Sequence, residues 1–328
     1  MIVFPDDLEQ AAGEKGELRA GGTDLQERRR LGRSRGWLVD LRDVTGQRTI
    51  DERGGGHLVG ALVKVAELAA DPRVRRGYPA LADAAGGLAT PQIRAVATVG
   101  GNLMQRNRCW YYRAPESHCF KSGGNGCPAR AGDHLFHACF DLGPCISVHP
   151  STLGMALLAY DATALLIGAA ERSLPELFGD GSDPSRDHAL PAGAVLSGVV
   201  LPPPRVGERS AYMRAISRSR AEWPLVEVLA RVGVEAGRIT WASLAVGGVA
   251  PVPMRLPAVE AALVGAPADA EALTDIAARA TDNASSPPMS AYKLDLLQAS
   301  IIDALERAFV CEPVAASATP GGTRDGSL

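Results

Sequence analysis

"LRAGGTDLQ" (Leu18–Gln26) and "VATVGGNLM" (Val96–Met104) are the two stretches on which the fold of this chain turns. Each reads as a short apolar strand running into paired glycines, with a threonine beside them (Thr23, Thr98) and a polar residue at the end (Asp24, Asn102). A dinucleotide's pyrophosphate needs backbone N–H groups at close range, and residues without a Cβ permit that approach. Neither stretch has the G-x-G-x-x-G spacing of a Rossmann turn. One pair alone reads as a tight strand-to-helix turn. Two of the same composition leave a turn and a phosphate cradle as equal readings.

Around these stretches, "WLVDLRDV" (Trp37–Val44) and "HLVGALV" (His57–Val63) have the length and branching of strands, while "KVAELAAD" and "YPALADAAGGLA" have helical spacing. "TLGMALLAYDATALLIG" (Thr152–Gly168) reads as a buried helix leading into a strand. "VVLPPPRVGERS" is a linker, because three successive prolines fit neither a helix nor a central strand, and it puts a domain boundary near Pro204. Beyond it, "AEWPLVEVLARVGVEAGRITWASLAVGGVA" predicts antiparallel strands joined at "EAGR", followed by three helical stretches. The domains are therefore 1–204 and 205–312, and the polar, glycine-rich residues 313–328 form a tail expected to be disordered.

A length of 328 residues suits two or three domains. The net charge of −3 gives no electrostatic reason to expect nucleic acid or an anionic membrane. No apolar run approaches the ~20 residues that cross a bilayer. The start, "MIVFPDDLEQ", lacks the basic and apolar regions of a signal peptide, which points to the cytoplasm.

Five of the six cysteines fall between Cys109 and Cys145, spaced C-x9-C-x7-C-x11-C-x5-C. Where thiols stay reduced, such a group reads as metal or redox chemistry. Zinc knuckles use close pairs, and none is present. Wide spacing on an irregular glycine-rich loop suits a larger body wrapped by four thiolates, such as an iron–sulfur cluster. Zinc held with His118, His134 or His137, metal-free thiols, and disulfides remain alternatives. Cys311, alone, reads as a small buried apolar residue. "RCWYYR" (Arg108–Arg113) reads as packing over the cluster or at a subunit contact. Arg28–Arg35 reads as a solvated helix face or a docking patch, and Lys293 as a helix-surface residue. No Ser/His/Asp triad and no general-base pair is apparent.

"RAGGTDL", "PQIRAVATVGGNL" and "LAVGGVAPVPMR", in that order and spacing, resemble the FAD-binding (medium) subunits of the xanthine dehydrogenase or molybdenum hydroxylase family, over about Ala20 to Ala308. "GGNLMQRNRCWYYR" with the cysteines that follow resembles the branch with an inserted 4Fe-4S loop, here at about 105–149, as in bacterial three-subunit aldehyde oxidoreductases. The resemblance implies an α+β fold: a two-subdomain FAD-binding domain, then a smaller α+β domain of antiparallel sheet plus helices. It also implies that Ala20, Gly21, Gly22, Thr23, Asp24 and Leu25, with Thr98, Val99, Gly100, Gly101 and Asn102, line the FAD pyrophosphate and ribityl chain. The implied cluster ligands are Cys109, Cys119, Cys127 and Cys145, leaving Cys139 as the spare. Relatives tend to carry Ser-Asp near the flavin where this chain has Ser151–Thr152, so a charge is missing there. The implied partners are a large molybdopterin-binding subunit and a small 2Fe-2S subunit, with electrons passing from molybdenum through 2Fe-2S clusters to FAD and then to an external acceptor. The complex would oxidise aldehydes, and a signal-bearing partner could carry it to the periplasm. A stand-alone flavoprotein, or a subunit of a hydroxybenzoyl-CoA reductase-like or N-heterocycle-hydroxylating complex, is the alternative.

Overall fold

The computed structural model describes residues 1–282 and 284–315. Three sheets organise them. The first is parallel, with β1 (Ile2–Val3), β2 (Glu17–Arg19) and β3 (Leu38–Asp40) in the order β1-β3-β2. The second comprises β4 (Ile50–Arg53), β5 (Gly56–Gly60), β6 (Thr163–Ile167), β7 (Arg172–Ser173) and β8 (Val195–Leu201), all antiparallel, in the order β4-β5-β8-β6-β7. The third is antiparallel, with β9 (Glu208–Ala215), β10 (Val226–Glu235), β11 (Arg238–Gly247) and β12 (Met254–Arg255) in the order β12-β11-β10-β9. The first two form the N-terminal domain's two subdomains and the third carries the C-terminal domain, matching the expected α+β arrangement.

The apolar run of β10 follows from burial on both faces. With a side-chain period of two, Val226, Val228, Ala230 and Val232 point into the C-terminal core beneath the helix Tyr292–Val310. Leu229 points the other way, into the N-terminal core of the helices Pro79–Gly87 and Thr152–Ala159. On that second face Arg231 is buried, paired to Glu208 at 2.7 Å, and donates to the Ala159 carbonyl that ends the second helix. A cation there meets the negative end of a helix and ties the two domains together.

Several expectations change. The second glycine pair does not follow a strand. Val96 ends a helix (Pro91–Val96), and Gly100 and Gly101 lie in the first turn of another (Val99–Leu103) that Thr98 caps by accepting the Gly101 N–H. Pro91 fits the first turn of a helix, so "PQIRAV" coils and the strand expected to start at Val96 does not form. Lys293 is not on the surface: it is 1% exposed, and its ammonium donates to the carbonyls of Gly248 (2.9 Å) and Phe136 (3.2 Å). Of the tail, residues 316–328 lie outside the described residues, but Val314 is buried and exchanges N–H···O bonds with Gly207 and Glu208, because β9 is an edge strand with free pairing groups. Among the described residues no helix is long and apolar enough to cross a membrane.

Candidate functional site

The two glycine pairs converge on one pocket of about 290 Å³, lined by Ala20 through Leu25 together with Thr98, Gly100 and Gly101. They are not equivalent. In the first, Gly22 sits at φ +72°, and a Cβ on Gly21 would run into the Val96 carbonyl, so the two loops lie back to back. No bond within the described residues uses the N–H groups of Gly21, Gly22 or Thr23, which leaves them free for a ligand. In the second, Val99, Gly100, Gly101 and Asn102 all have committed N–H groups, on Val63 O, Ala61 O, Thr98 Oγ1 and Thr98 O. The first pair offers donors; the second offers close approach.

Four residues expected at the pocket stand behind it. Val99 and Asn102 are buried under its floor, and Asn102 Oδ1 accepts from Ser151 Oγ at 2.7 Å. Ser151 caps the helix Thr152–Ala159, and the buried Thr152 lies beside Glu227 and Tyr212. Glu227 was not anticipated, because a carboxylate inside the apolar run of β10 gives no signal of its own. It is 2% exposed, accepts from the Tyr212 hydroxyl at 2.9 Å, and burial pushes its pKa up. A carboxyl is thus present next to position 152, supplied by a different strand.

His188 also lines the pocket, with a buried Nδ1 that has no partner; burial pushes its pKa down to about 4, so it is neutral near pH 7. A free ring nitrogen beside free backbone donors fits a polar ligand such as a dinucleotide. Pro150 lines a second cavity, of about 470 Å³, with Arg108, Trp110, Trp223, Glu227 and Lys293. Gln105, which lines the first, donates to the Pro150 carbonyl at 3.2 Å, so one hydrogen bond ties the walls of the two cavities together.

Cys109, Cys119, Cys127 and Cys145 line one small cavity together with Asn107, Tyr111, Tyr112, Phe120 and Lys121. Donors face the sulfurs: the N–H groups of Tyr111 and Tyr112 approach Cys109, the Ser147 N–H approaches Cys145, and Ser122 Oγ lies 3.7 Å from Cys119 Sγ. His137 Nε2 is 3.2 Å from Cys109 Sγ. Burial pushes the Cys109 thiol up to about 11, so a thiolate here calls for a bound cation. Cys139 is elsewhere, fully buried in the C-terminal core with its N–H on Val249 O. Among the described residues no three His, Cys, Asp or Glu side chains are grouped to hold a single metal ion. Four free thiols lining one cavity, with N–H···S contacts, are the donor chemistry of an iron–sulfur site. Cys311 is partly exposed, not buried as its apolar neighbours suggested.

Of "RCWYYR", Tyr111 and Tyr112 cover the thiol cavity, while Trp110 is exposed and packs edge-on against Phe136 and His137. The arginine run is only partly a solvated face. Arg28 is buried against Asp24 and Glu17, and Arg33 holds the carbonyls of Ala114 and Ser117 in the cysteine loop.

A two-domain chain whose glycine turn keeps free backbone donors at a pocket has the layout of a dinucleotide-binding subunit. Comparison with known families agrees: residues 6–204 match the FAD binding domain in molybdopterin dehydrogenase, and 211–308 the CO dehydrogenase flavoprotein C-terminal domain. The aldehyde oxidoreductase FAD-binding subunit PaoB of Escherichia coli K12 is 34% identical over 253 residues, 74% of this chain and 78% of that protein. The nicotinate dehydrogenase FAD-subunit of Eubacterium barkeri is 25% identical over 281 residues, 82% of this chain and 81% of that one. In fold, carbon monoxide dehydrogenase from Hydrogenophaga pseudoflava superposes with a TM-score of 0.73 at 21% identity, covering 94% of this chain and 96% of that one. The chain belongs to the FAD-binding subunits of the molybdopterin dehydrogenase family, and is an oxidoreductase subunit.

Proposed function

We propose that this chain is the electron-transfer subunit of a heterotrimeric molybdenum hydroxylase that oxidises aldehydes. Its partners are a large molybdopterin-binding subunit and a small 2Fe-2S subunit, and an external acceptor takes the electrons. The observation that carries this reading is the shared lining of one cavity by Cys109, Cys119, Cys127 and Cys145, next to a glycine turn with free donors, in a chain 34% identical to an aldehyde oxidoreductase FAD-binding subunit. Ala20–Leu25 would hold FAD through backbone N–H groups, Thr98, Gly100 and Gly101 would allow its close approach, and Val99, Asn102, Ser151 and Thr152 would brace that surface from behind. The four cysteines would hold a 4Fe-4S cluster, with Cys139 outside the ligand set. Bound FAD supplies exchange between two-electron and one-electron transfer, and the cluster supplies one-electron exchange. The residues of this chain exclude water, satisfy the sulfurs with N–H donors and fix the two sites relative to each other.

The test is reconstitution. The chain purified without oxygen shows no bleaching of its flavin absorption when mixed with an aromatic aldehyde. The same chain assembled with its two partners is bleached within a turnover. Bleaching of the chain alone supports a stand-alone flavoprotein instead.

A further inference from the structure

We infer that Asp24 couples loading of the four-cysteine site to dinucleotide binding, so that each occupant tightens the hold on the other. The inference rests on the reading of both sites above.

Asp24 ends the open glycine turn and lines its pocket, yet most of what holds it comes from the cysteine loop. Arg28, on its own helix, donates through Nε at 2.9 Å. The other donors are Arg113 Nη2 at 2.7 Å, Arg108 Nη2 at 3.4 Å and the Arg106 N–H at 3.3 Å. Glu27, one turn along, takes Arg108 Nη1 at 2.5 Å. Burial alone would raise the Asp24 pKa; Arg108, Arg113 and Arg28 together bring it below the usual value. Without the loop's arginines a nearly buried carboxylate beside the glycine turn loses most of its compensation.

These arginines flank Cys109. Arg113 closes a helical turn, Trp110–Arg113, of only four residues, far short of what stands alone in water. The turn is positioned by its ties: Cys109 N–H on Asn107 Oδ1, the Tyr111 and Tyr112 N–H groups on the Cys109 sulfur, and the Arg113 guanidinium on the Arg106 and Asn107 carbonyls. Ligation of Cys109 pins this turn from its first residue, and release frees it to move with Arg113.

A second acid repeats the link. Asp187 is buried and accepts from Lys121 Nζ at 3.0 Å, Asn107 Nδ2 at 3.3 Å and Arg106 Nη1 at 3.5 Å. Lys121 lines the thiol cavity, and His188, the next residue after Asp187, lines the dinucleotide pocket. The other half of the loop is fastened elsewhere: Cys139 and Phe140 donate to Val249 O, and Ser290 Oγ to Ala138 O. Coupling therefore runs through 106–121, which carries two of the four thiols, and is reciprocal by necessity.

The experiment uses the full chain, prepared without oxygen and then divided, one half stripped of iron by a chelator. FAD is titrated into each and its fluorescence quenching recorded. Iron removal raises the Kd for FAD about 5–150-fold, the usual span of coupling between two sites. In Arg113→Met the two halves bind FAD equally, while Arg113→Lys retains part of the difference. In case the stripped chain unfolds, the converse is read on loaded protein: saturating FAD raises the fraction of iron retained at equilibrium against a chelator in wild type, and not in Arg113→Met. Equal FAD affinity in both halves, or iron retention indifferent to FAD, overturns the coupling alone. A wild-type chain without iron or acid-labile sulfide overturns the cluster reading and the coupling with it.

Discussion

Ser151 Oγ donates to Asn102 Oδ1 across 2.7 Å, joining the helix that carries the second glycine pair to the helix that follows the cysteine loop. The same amide oxygen lies 3.4 Å from the Leu153 N–H, and Ser151 Oγ in turn accepts from the Gly154 N–H at 2.8 Å. Both residues brace the pocket, so their loss acts first on stability. Asn102→Ala leaves buried groups without partners and costs about 1–3 kcal/mol. Ser151→Ala removes a helix cap and costs about 1 kcal/mol. Because the two share one bond, the double variant costs less than the sum, measured by urea unfolding. Full additivity would show that they act separately.

Glu208 and Arg231 form a pair buried between the domains. Glu208→Gln leaves the guanidinium without its counter-charge and destabilises the chain by about 3–5 kcal/mol, whereas replacing both with methionine costs much less. Urea unfolding with and without added salt checks this. A small effect of the single change would mean that water reaches the pair.

The glycine pairs were legible because two glycines beside a threonine recur in two segments. Their inequality was not legible. Whether an N–H is free depends on Ala61 and Val63, which come near Gly100 and Val99 only in three dimensions. The four thiols stood out by number, but the exclusion of Cys139 depends on its bond to Val249, which follows it by 110 positions. Lysine is rarely buried, so Lys293 read as surface until the carbonyls of Phe136 and Gly248 enclosed it. Glu227, Arg231 and His188 were missed for the same reason: one polar residue in an apolar or loop segment carries no periodicity.

His149 is 6% exposed, its ring lies against Phe178, and its Nδ1 faces the Ser151 N–H. Burial pushes its pKa down to about 3, so it stays neutral in the folded chain while the unfolded chain protonates it near pH 6.5. The unfolded state therefore binds more protons between these values, and stability falls as pH drops through that window. Between pH 6.5 and 5 this one residue accounts for a loss of about 1.5 kcal/mol. In His149→Gln the stability difference between the two pH values shrinks by that amount, read from urea midpoints. An unchanged difference would show that His149 is protonated in the fold.

Each of Cys109→Ser, Cys119→Ser, Cys127→Ser and Cys145→Ser loses most of its iron and acid-labile sulfide, while Cys139→Ser and Cys311→Ser keep both. Cys139→Ser instead lowers the melting temperature, because a hydroxyl enters a closed apolar core. Iron retained in Cys145→Ser and lost in Cys139→Ser would exchange their roles.

The most direct measurement is the cofactor content of the full chain isolated without oxygen. Flavin, iron and acid-labile sulfide are assayed per polypeptide, with flavin identified after acid release. One FAD and about four iron and four sulfide per chain are expected. Zinc in place of iron, or a chain holding neither flavin nor sulfide, would contradict this.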